Sequence, residues 1–409
     1  MPIKLFKNKK RIYFDYAASA PVLPAVLRGV KNHTTQFFAN PSSIHKDGVM
    51  AKNALENARQ KISRFFGAHS DEIFFTSGGT ESNALALCGV AMYAKKLPQF
   101  QNQKPHIVTT NIEHPSVLKT CEMLEGWGID VTYIPVESDG LVSAKKIKEY
   151  ITPQTILISV AYANSEIGVI QPIKEIAKSI RSYKKEKSDA IQSSYPLLHI
   201  DACQAISYLE VGVEQLGVDL MSWNGTKLGG PRGTGSLYVR RGTPISSVYG
   251  GGGQENNLRS GTENVAGIVG LSVALAEVRN VFEKENQRLS DLREYCFIEI
   301  TKKFPHVRIN GNQTQRLCNN VNISFPGFSS ELLVLELDAL GISVSAGSAC
   351  GSLKHSGSHV LEALYGTLDE KKWGSIRLSF GRETKKQDII IFIKALDSIF
   401  DKYKKVRIL

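Results

Sequence analysis

Seven short apolar runs alternate with helix-like segments between Glu72 and Arg240, and this alternation constrains the fold more than any other feature. The runs are "EIFFTS", "HIVTTN", "VTYIPV", "TILISVAYAN", "YPLLHIDAC", "VDLMSW" and "GSLYVR". They are rich in β-branched residues, as strands are. Between them lie amphipathic or polar segments such as "SNALALCGVAMYAKK", "PSVLKTCEMLEGWG" and "IKEIAKSIRSYKKEK". The pattern predicts an α/β fold: a mostly parallel seven-stranded sheet flanked by helices. The ligand of such a sheet lies at the carboxyl ends of its strands.

The pattern changes near Asn264. A long helical stretch, "VAGIVGLSVALAEVRNVFEKENQRLSDLREYCFIEITKKF", runs without a strand. After it come "VRING", "NNVNISF", "ISVSAG" and "SIRLSF", then a last helix, "QDIIIFIKALDSIF". We therefore expect a large ligand-binding domain over residues 16–264. A smaller α/β domain is expected from residues 1–15 and 265–409.

Composition narrows the function classes. Of 409 residues, 42% are hydrophobic and 22% charged, which is ordinary for a globular protein. The net charge of +11 comes largely from scattered lysines, as in "KLFKNKKR" and "DKYKKVR". Aromatics do not interleave with these runs, so nucleic-acid binding is not expected. No apolar segment flanks the basic N-terminus, and no run reads as a membrane span, so no membrane association is expected. Cys88, Cys121, Cys203, Cys296, Cys318 and Cys350 are widely spread, with no C-x-x-C pair. That is neither a disulfide framework nor a zinc ribbon, and it predicts a cytoplasmic protein.

Six stretches could carry chemistry. In "FTSGGTESNALAL", glycines between a strand and a helix could cradle an anion through backbone N–H groups, or simply make the turn. In "HIDACQA", Asp201 closes an apolar strand, where it could pair with a cation or cap a helix. His114 in "TTNIEHPSV" could stack on a planar ring, move protons, or be structural. Lys227 in "MSWNGTKLGGPRGTG" is not part of a P-loop, because Thr226 precedes it and Leu228 follows. A lysine in such a restricted loop can act as an amine nucleophile and form a Schiff base. Cys350 lies among small residues in "SVSAGSACGSLKHSGSHV", as a mobile reactive thiol or an exposed structural one. Cys350, His355 and His359 offer only three metal ligands at loose spacing, so no metal is expected. Arg377 in "SIRLSFGR" could grip a carboxylate bidentately, as could Arg382 beyond it.

The order of these stretches is more telling than any one of them. "DYAASAPV", "FTSGGTES", "EHPSV", "NSEIG", "DACQA", "GTKLGGPRGTG", "LRSGTEN", "GSAC" and "RLSFGR" follow one another along nearly the whole chain. This succession resembles the cysteine desulfurases, within the class-V aminotransferase-like pyridoxal phosphate enzymes of fold type I. The small-residue loop around Cys350 resembles the longer-loop branch that serves iron–sulfur cluster assembly.

The resemblance implies a role for each matching residue. Lys227 would bind pyridoxal 5'-phosphate covalently. Gly79 and Thr80 would hold its phosphate, joined by Thr262 from the other subunit of a homodimer. Asn224 and Thr226 would take the remaining phosphate-side positions. Asp201 would pair with the ring nitrogen, Gln204 would contact the ring oxygen, and His114 would stack on the ring and assist proton transfer. Arg377 would hold the carboxylate of L-cysteine, with Asn164 also on the substrate side. Cys350 would take the substrate sulfur as a persulfide, leaving L-alanine, and pass it to acceptor proteins such as an iron–sulfur scaffold.

The chain departs from the family at three positions. Thr226 stands where the family has histidine, Asn224 where it has serine, and Ser165 where it has a ring-contacting asparagine. The expected consequence is weaker cofactor retention. A selenocysteine or cysteine-sulfinate lyase, and a non-catalytic scaffold-binding homologue, are the alternative readings.

Overall fold

The computed structural model describes residues 11–186, 195–347, 357–366 and 373–406. The chain divides into two compact units. The larger comprises Ser19–Asn164 and Val169–Phe282, and the smaller Met1–Ala18, Ser165–Gly168 and Glu283–Leu409.

The larger unit is built on one seven-stranded sheet. Its strands are β1 (Ile73–Thr76), β2 (His106–Thr110), β3 (Asp130–Ile134), β4 (Thr155–Ala161), β5 (Leu197–Asp201), β6 (Leu220–Asn224) and β7 (Gly235–Val239). The spatial order is β1-β7-β6-β5-β4-β2-β3. Pairings among β2 to β6 are parallel. Only β7 runs the other way, antiparallel to both β1 and β6. The carboxyl ends of the six co-directional strands therefore share one edge of the sheet.

The apolar runs follow from burial on both faces. Every residue of β1, β2, β4, β5 and β7 is buried, so these strands carry no alternation of polar and apolar side chains. The edge strand β3 opens with an exposed Asp130. Helix α1 (Lys46–Phe66) precedes the sheet, α2 (Gly79–Ala94) follows β1, and α3 (Pro115–Gly126) follows β2. The middle of α2 is apolar all round, and Leu85, Ala86, Leu87, Cys88 and Val90 are each 2% exposed or less. Such a helix is held by core packing rather than by its own propensity. Each leucine or valine so buried is worth roughly 1.5–3 kcal/mol.

Helix α4 (Val265–Lys303) is the long helix expected from the sequence. The division between units falls inside it, after Phe282, rather than at its start. Its first part is apolar because it is core: Ile268, Leu271, Ala274 and Leu275 are buried. By length and hydropathy, 1.6 over an 18-residue window, α4 could cross a membrane, contrary to the sequence expectation that no run does. Over half of that window is buried within the fold, however, which explains its composition without a bilayer.

The smaller unit holds β8 (Arg308–Ile309), β9 (Asn320–Pro326) and β10 (Trp373–Ser379), in the order β10-β9-β8 and antiparallel. Ile12–Tyr13 pairs in parallel with Ile342–Ser343. Helices α5 (Ser330–Ala339), α6 (His359–Tyr365) and α7 (Lys386–Val406) complete it. The rings of Phe304, Phe325, Phe328 and Phe400 cluster with neighbouring centroids 4.4–6.1 Å apart, an edge-rich packing favourable to aromatics.

Candidate active site

Three strands deliver the centre of the site. β1 ends at Thr76 and turns through Ser77 and Gly78 into α2. No side chain caps this helix. Glu81 instead accepts the Ser77 N–H at 2.7 Å. The first-turn N–H groups of Gly79 and Thr80 are left aimed outward, with the helix dipole favouring an anion there. Glycine is required by close packing. A Cβ on Gly235, the first residue of β7, would lie 2.6 Å from the Gly78 Cα. One on Gly79 would lie 2.5 Å from the Cys203 Sγ and 3.2 Å from the Asn224 Nδ2.

β5 ends at Asp201, which is buried. One carboxylate oxygen accepts the Asn83 Nδ2 at 2.7 Å, and the other the Cys203 N–H at 2.9 Å. Burial works to raise its pKa, but the charges of His114 and Lys227 and these two donors hold it below the ordinary carboxylate value. An ionised carboxylate thus sits in the interior at the strand ends, ready to pair with a cation. Gln204 follows on the same turn and is buried.

β6 ends at Asn224. Its Oδ1 accepts the Lys227 N–H at 3.2 Å, which ties the lysine's backbone to the strand end. Thr226–Leu228 form a single 3₁₀ turn, and Gly229 closes it with φ +72°. A Cβ on Gly229 would press on the Leu23 side chain at 2.8 Å, so the loop follows a restricted path. Thr226 and Lys227 are half-buried.

His114 is the N-cap of α3. Its Nδ1 accepts from the Ser116 N–H at 3.1 Å and meets the Ser116 hydroxyl at 2.8 Å. With Nδ1 accepting, it is Nε2 that carries a ring proton. Asn83 also donates to the Ser116 Oγ at 2.8 Å. The half-buried His114 and the buried Ser116, Asn83 and Asp201 form one polar chain, and sequence reasoning missed Asn83 and Ser116. The available signal was an asparagine on the buried face of a helix that is otherwise apolar. Beside this chain, the buried Glu113 accepts from the Thr110 hydroxyl at 2.6 Å and the Ala161 N–H at 3.0 Å. Burial pushes its carboxyl up to about 8.

The structure thus brings Gly79, Thr80, His114, Asp201, Gln204, Asn224, Thr226 and Lys227 to the carboxyl edge of one sheet. Asn164 follows β4, where its Nδ2 donates to the Ile112 carbonyl at 2.8 Å. Thr262 is exposed in the loop before α4.

In the smaller unit, Arg377 lies in β10 and is 1% exposed. Its Nη2 is 2.7 Å from the Asp15 Oδ1, and its Nη1 donates to the Ser165 carbonyl at 2.9 Å. Segment Ser165–Gly168 is held in this unit by further bonds. The Glu166 carbonyl accepts both Asn320 Nδ2 and Asn322 Nδ2 at 3.0 Å. The Glu166 carboxylate accepts the Ser358 hydroxyl. A Cβ on Gly347 would lie 3.1 Å from that same carboxylate. Cys350 and His355 lie outside the described residues, but the flanks Gly347 and Ser358 both meet Glu166.

The sequence matches the family described as Aminotransferase class-V over residues 12–392. It is 41% identical over 398 residues to a cysteine desulfurase IscS of Dictyoglomus turgidum, covering 97% of this chain and 96% of that protein. Among solved structures, a NifS-like protein superposes with a TM-score of 0.86 at 32% identity, over 96% of this chain and 99% of its own. A structure described as SspA in complex with cysteine gives a TM-score of 0.76 at 34% identity, over 90% of this chain and 98% of its own. With sequence and fold agreeing over almost its whole length, this chain belongs to the class-V aminotransferase family, among the cysteine desulfurases.

Proposed function

We propose that the chain is a homodimeric, cytoplasmic cysteine desulfurase. It converts L-cysteine to L-alanine on pyridoxal 5'-phosphate and delivers the sulfur from Cys350 to acceptors for iron–sulfur cluster or thio-cofactor assembly. One observation carries the reading: an uncapped helix N-terminus, a buried ionised carboxylate and a tethered lysine share the carboxyl edge of one sheet.

The residues fit the cofactor. The N–H groups of Gly79 and Thr80 suit a phosphate, with the Asn224 amide beside Gly79. Asp201 suits a protonated ring nitrogen, Gln204 the ring oxygen, and Lys227 a covalent link. Thr262, exposed in its loop, suits a contact with a second copy. Exposed apolar side chains suit a dimer contact: Phe38 is 78% and Ile44 98% exposed. A groove of about 400 Å³ nearby is lined by residues including Phe37, Met50 and Val273. The described cysteines are unpaired and buried, which suits a reducing compartment.

When bound, the cofactor supplies an electron sink for negative charge developing at the substrate α-carbon. The chain's own residues do the rest. Arg377 would hold the substrate carboxylate. Lys227, once its amine is released by the incoming substrate, would move the proton at the α-carbon. His114 would hold a proton at Nε2, with Ser116 fixing its tautomer. The Cys350 thiolate would attack the substrate sulfur: the sulfur–sulfur bond forms as the carbon–sulfur bond breaks. The residual carbon skeleton takes up protons and leaves as alanine.

Absorbance tests the reading. Purified protein should be yellow, and Lys227→Ala should lose the covalent chromophore. Wild-type protein that stays colourless with added pyridoxal phosphate would contradict it.

A further inference from the structure

The loop that carries Thr262 is fastened to the turn that carries Gly79 and Thr80, at two points. The first is Glu255, whose carboxylate takes Arg59 Nη1 and Nη2 at 2.8 Å and the Phe75 N–H of β1 at 2.8 Å. Arg59 also donates to the Ile73 carbonyl of β1 at 2.6 Å and lies over the Phe75 ring. Both charged groups are buried. This anchor holds a costly backbone. Glu255, Asn256 and Asn257 have φ of 47°, 52° and 64°, three left-handed non-glycine residues in a row. Such a run persists only where its surroundings over-determine it.

The second point is Glu81, in the first turn of α2. Its Oε1 accepts Arg259 Nε at 2.7 Å and the Tyr249 hydroxyl at 2.8 Å. Its Oε2 accepts the Ser77 N–H at 2.7 Å and Arg259 Nη2 at 3.3 Å. One carboxylate thus ties the cradle turn at Ser77 to both ends of the segment from Tyr249 to Arg259. Thr262 stands three residues beyond Arg259. Gly261 is fixed as well, its N–H donating to the Gln254 Oε1 at 2.9 Å.

We propose that Glu81 is a positioning residue of the cofactor site. Through Arg259 and Tyr249 it fixes the Thr262 loop against the phosphate cradle of the same chain. The proposal rests on the reading that Gly79 and Thr80 bind the cofactor phosphate and that Thr262 joins a phosphate site across a dimer. Glu81 touches neither substrate nor cofactor in this account. Its effect is to make two presentations, one to the chain's own site and one to its neighbour's, depend on a single set of hydrogen bonds. Phosphate bound at one cradle then favours the loop position that completes the other site, a linkage between the sites.

The test measures cofactor release from the holoenzyme, by loss of bound-cofactor absorbance on dilution into a scavenger of free pyridoxal phosphate. Glu81→Gln and Arg259→Ala should each speed release about tenfold, as for loss of one charge-assisted contact. The double variant should release no faster than Glu81→Gln alone, because Arg259 acts through Glu81. Thermal unfolding of the cofactor-free proteins separates this from general damage: all three variants should unfold close to wild type. Release at the wild-type rate from Glu81→Gln, additive effects in the double variant, or a large loss of cofactor-free stability would each overturn the proposal. Lys227→Ala is the control for the underlying reading. If it retains the covalent chromophore, that reading fails; if it loses the chromophore while Glu81→Gln behaves as wild type, only the positioning role fails.

Discussion

Arg377 already holds a carboxylate of its own chain: its Nη2 lies 2.7 Å from the Asp15 Oδ1. The guanidinium is almost fully buried, and its Nη1 also donates to the Ser165 carbonyl. Its Nε has no partner among the described residues. Asp15 therefore serves as the counter-ion that keeps a buried charge in place. Asp15→Ala would leave that charge uncompensated, at a cost of about 2 kcal/mol or more. Asp15→Asn keeps a hydrogen-bond acceptor and should lose about half as much. Denaturant unfolding checks both.

Asn83 is the hinge of the polar chain from His114 to Asp201. Asn83→Ala removes one donor from the Asp201 carboxylate and one from Ser116. A hydrogen bond to a charged group is worth roughly 1.5–3 kcal/mol, so the turnover number should fall about tenfold or more. Ser116→Ala should instead move the pH profile, because it removes the hydroxyl 2.8 Å from His114 Nδ1 while leaving the backbone N–H that fixes the tautomer. Steady-state kinetics across pH distinguish the two.

Glu113 makes stability depend on pH. Burial raises its folded-state pKa from 4.5 to about 8. Between those values the folded protein keeps a proton that the unfolded chain releases. The stabilisation is complete below pH 4.5 and is lost as pH rises toward 8. The loss between pH 5 and pH 7 is on the order of 3 kcal/mol. Glu113→Gln keeps the acceptor for Thr110 and Ala161 and should flatten this slope, as read from unfolding free energies across the window.

Glu166 meets both described flanks of the segment that bears Cys350. Glu166→Ala removes the acceptor for Ser358, which also caps α6 through the Leu361 N–H at 3.1 Å. Cysteine-dependent persulfide formation on Cys350 should fall about tenfold. Cofactor absorbance should be unchanged, and mass spectrometry of the protein after reaction with cysteine reads the difference.

The sheet was legible because its strands are buried on both faces and written as unbroken apolar runs. All seven runs became strands, and the reversal of β7 was the part that periodicity could not supply. Lys227, Asp201 and His114 stood out in the sequence because each lies at or shortly after the end of an apolar run, where sheet topology collects side chains. Asn83, Ser116, Asp15 and Glu166 were not. Their work is to hold other side chains, and apart from Ser116 beside His114 the partners are distant in sequence: Asp15 and Arg377 are 362 positions apart. The assignment of Ser165–Gly168 to the smaller unit was hidden for the same reason, since its ties are to Asn320, Asn322 and Arg377.

The most direct test of the central claim is product analysis with L-cysteine as sole substrate. Wild-type protein with pyridoxal phosphate and a thiol reductant should release sulfide and L-alanine in equal amounts. Without the reductant, Cys350 should carry one added sulfur atom. Cys350→Ser should bind the cofactor and form neither persulfide nor sulfide. Sulfide release by Cys350→Ser at the wild-type rate, or no alanine from the wild-type protein, would contradict the account.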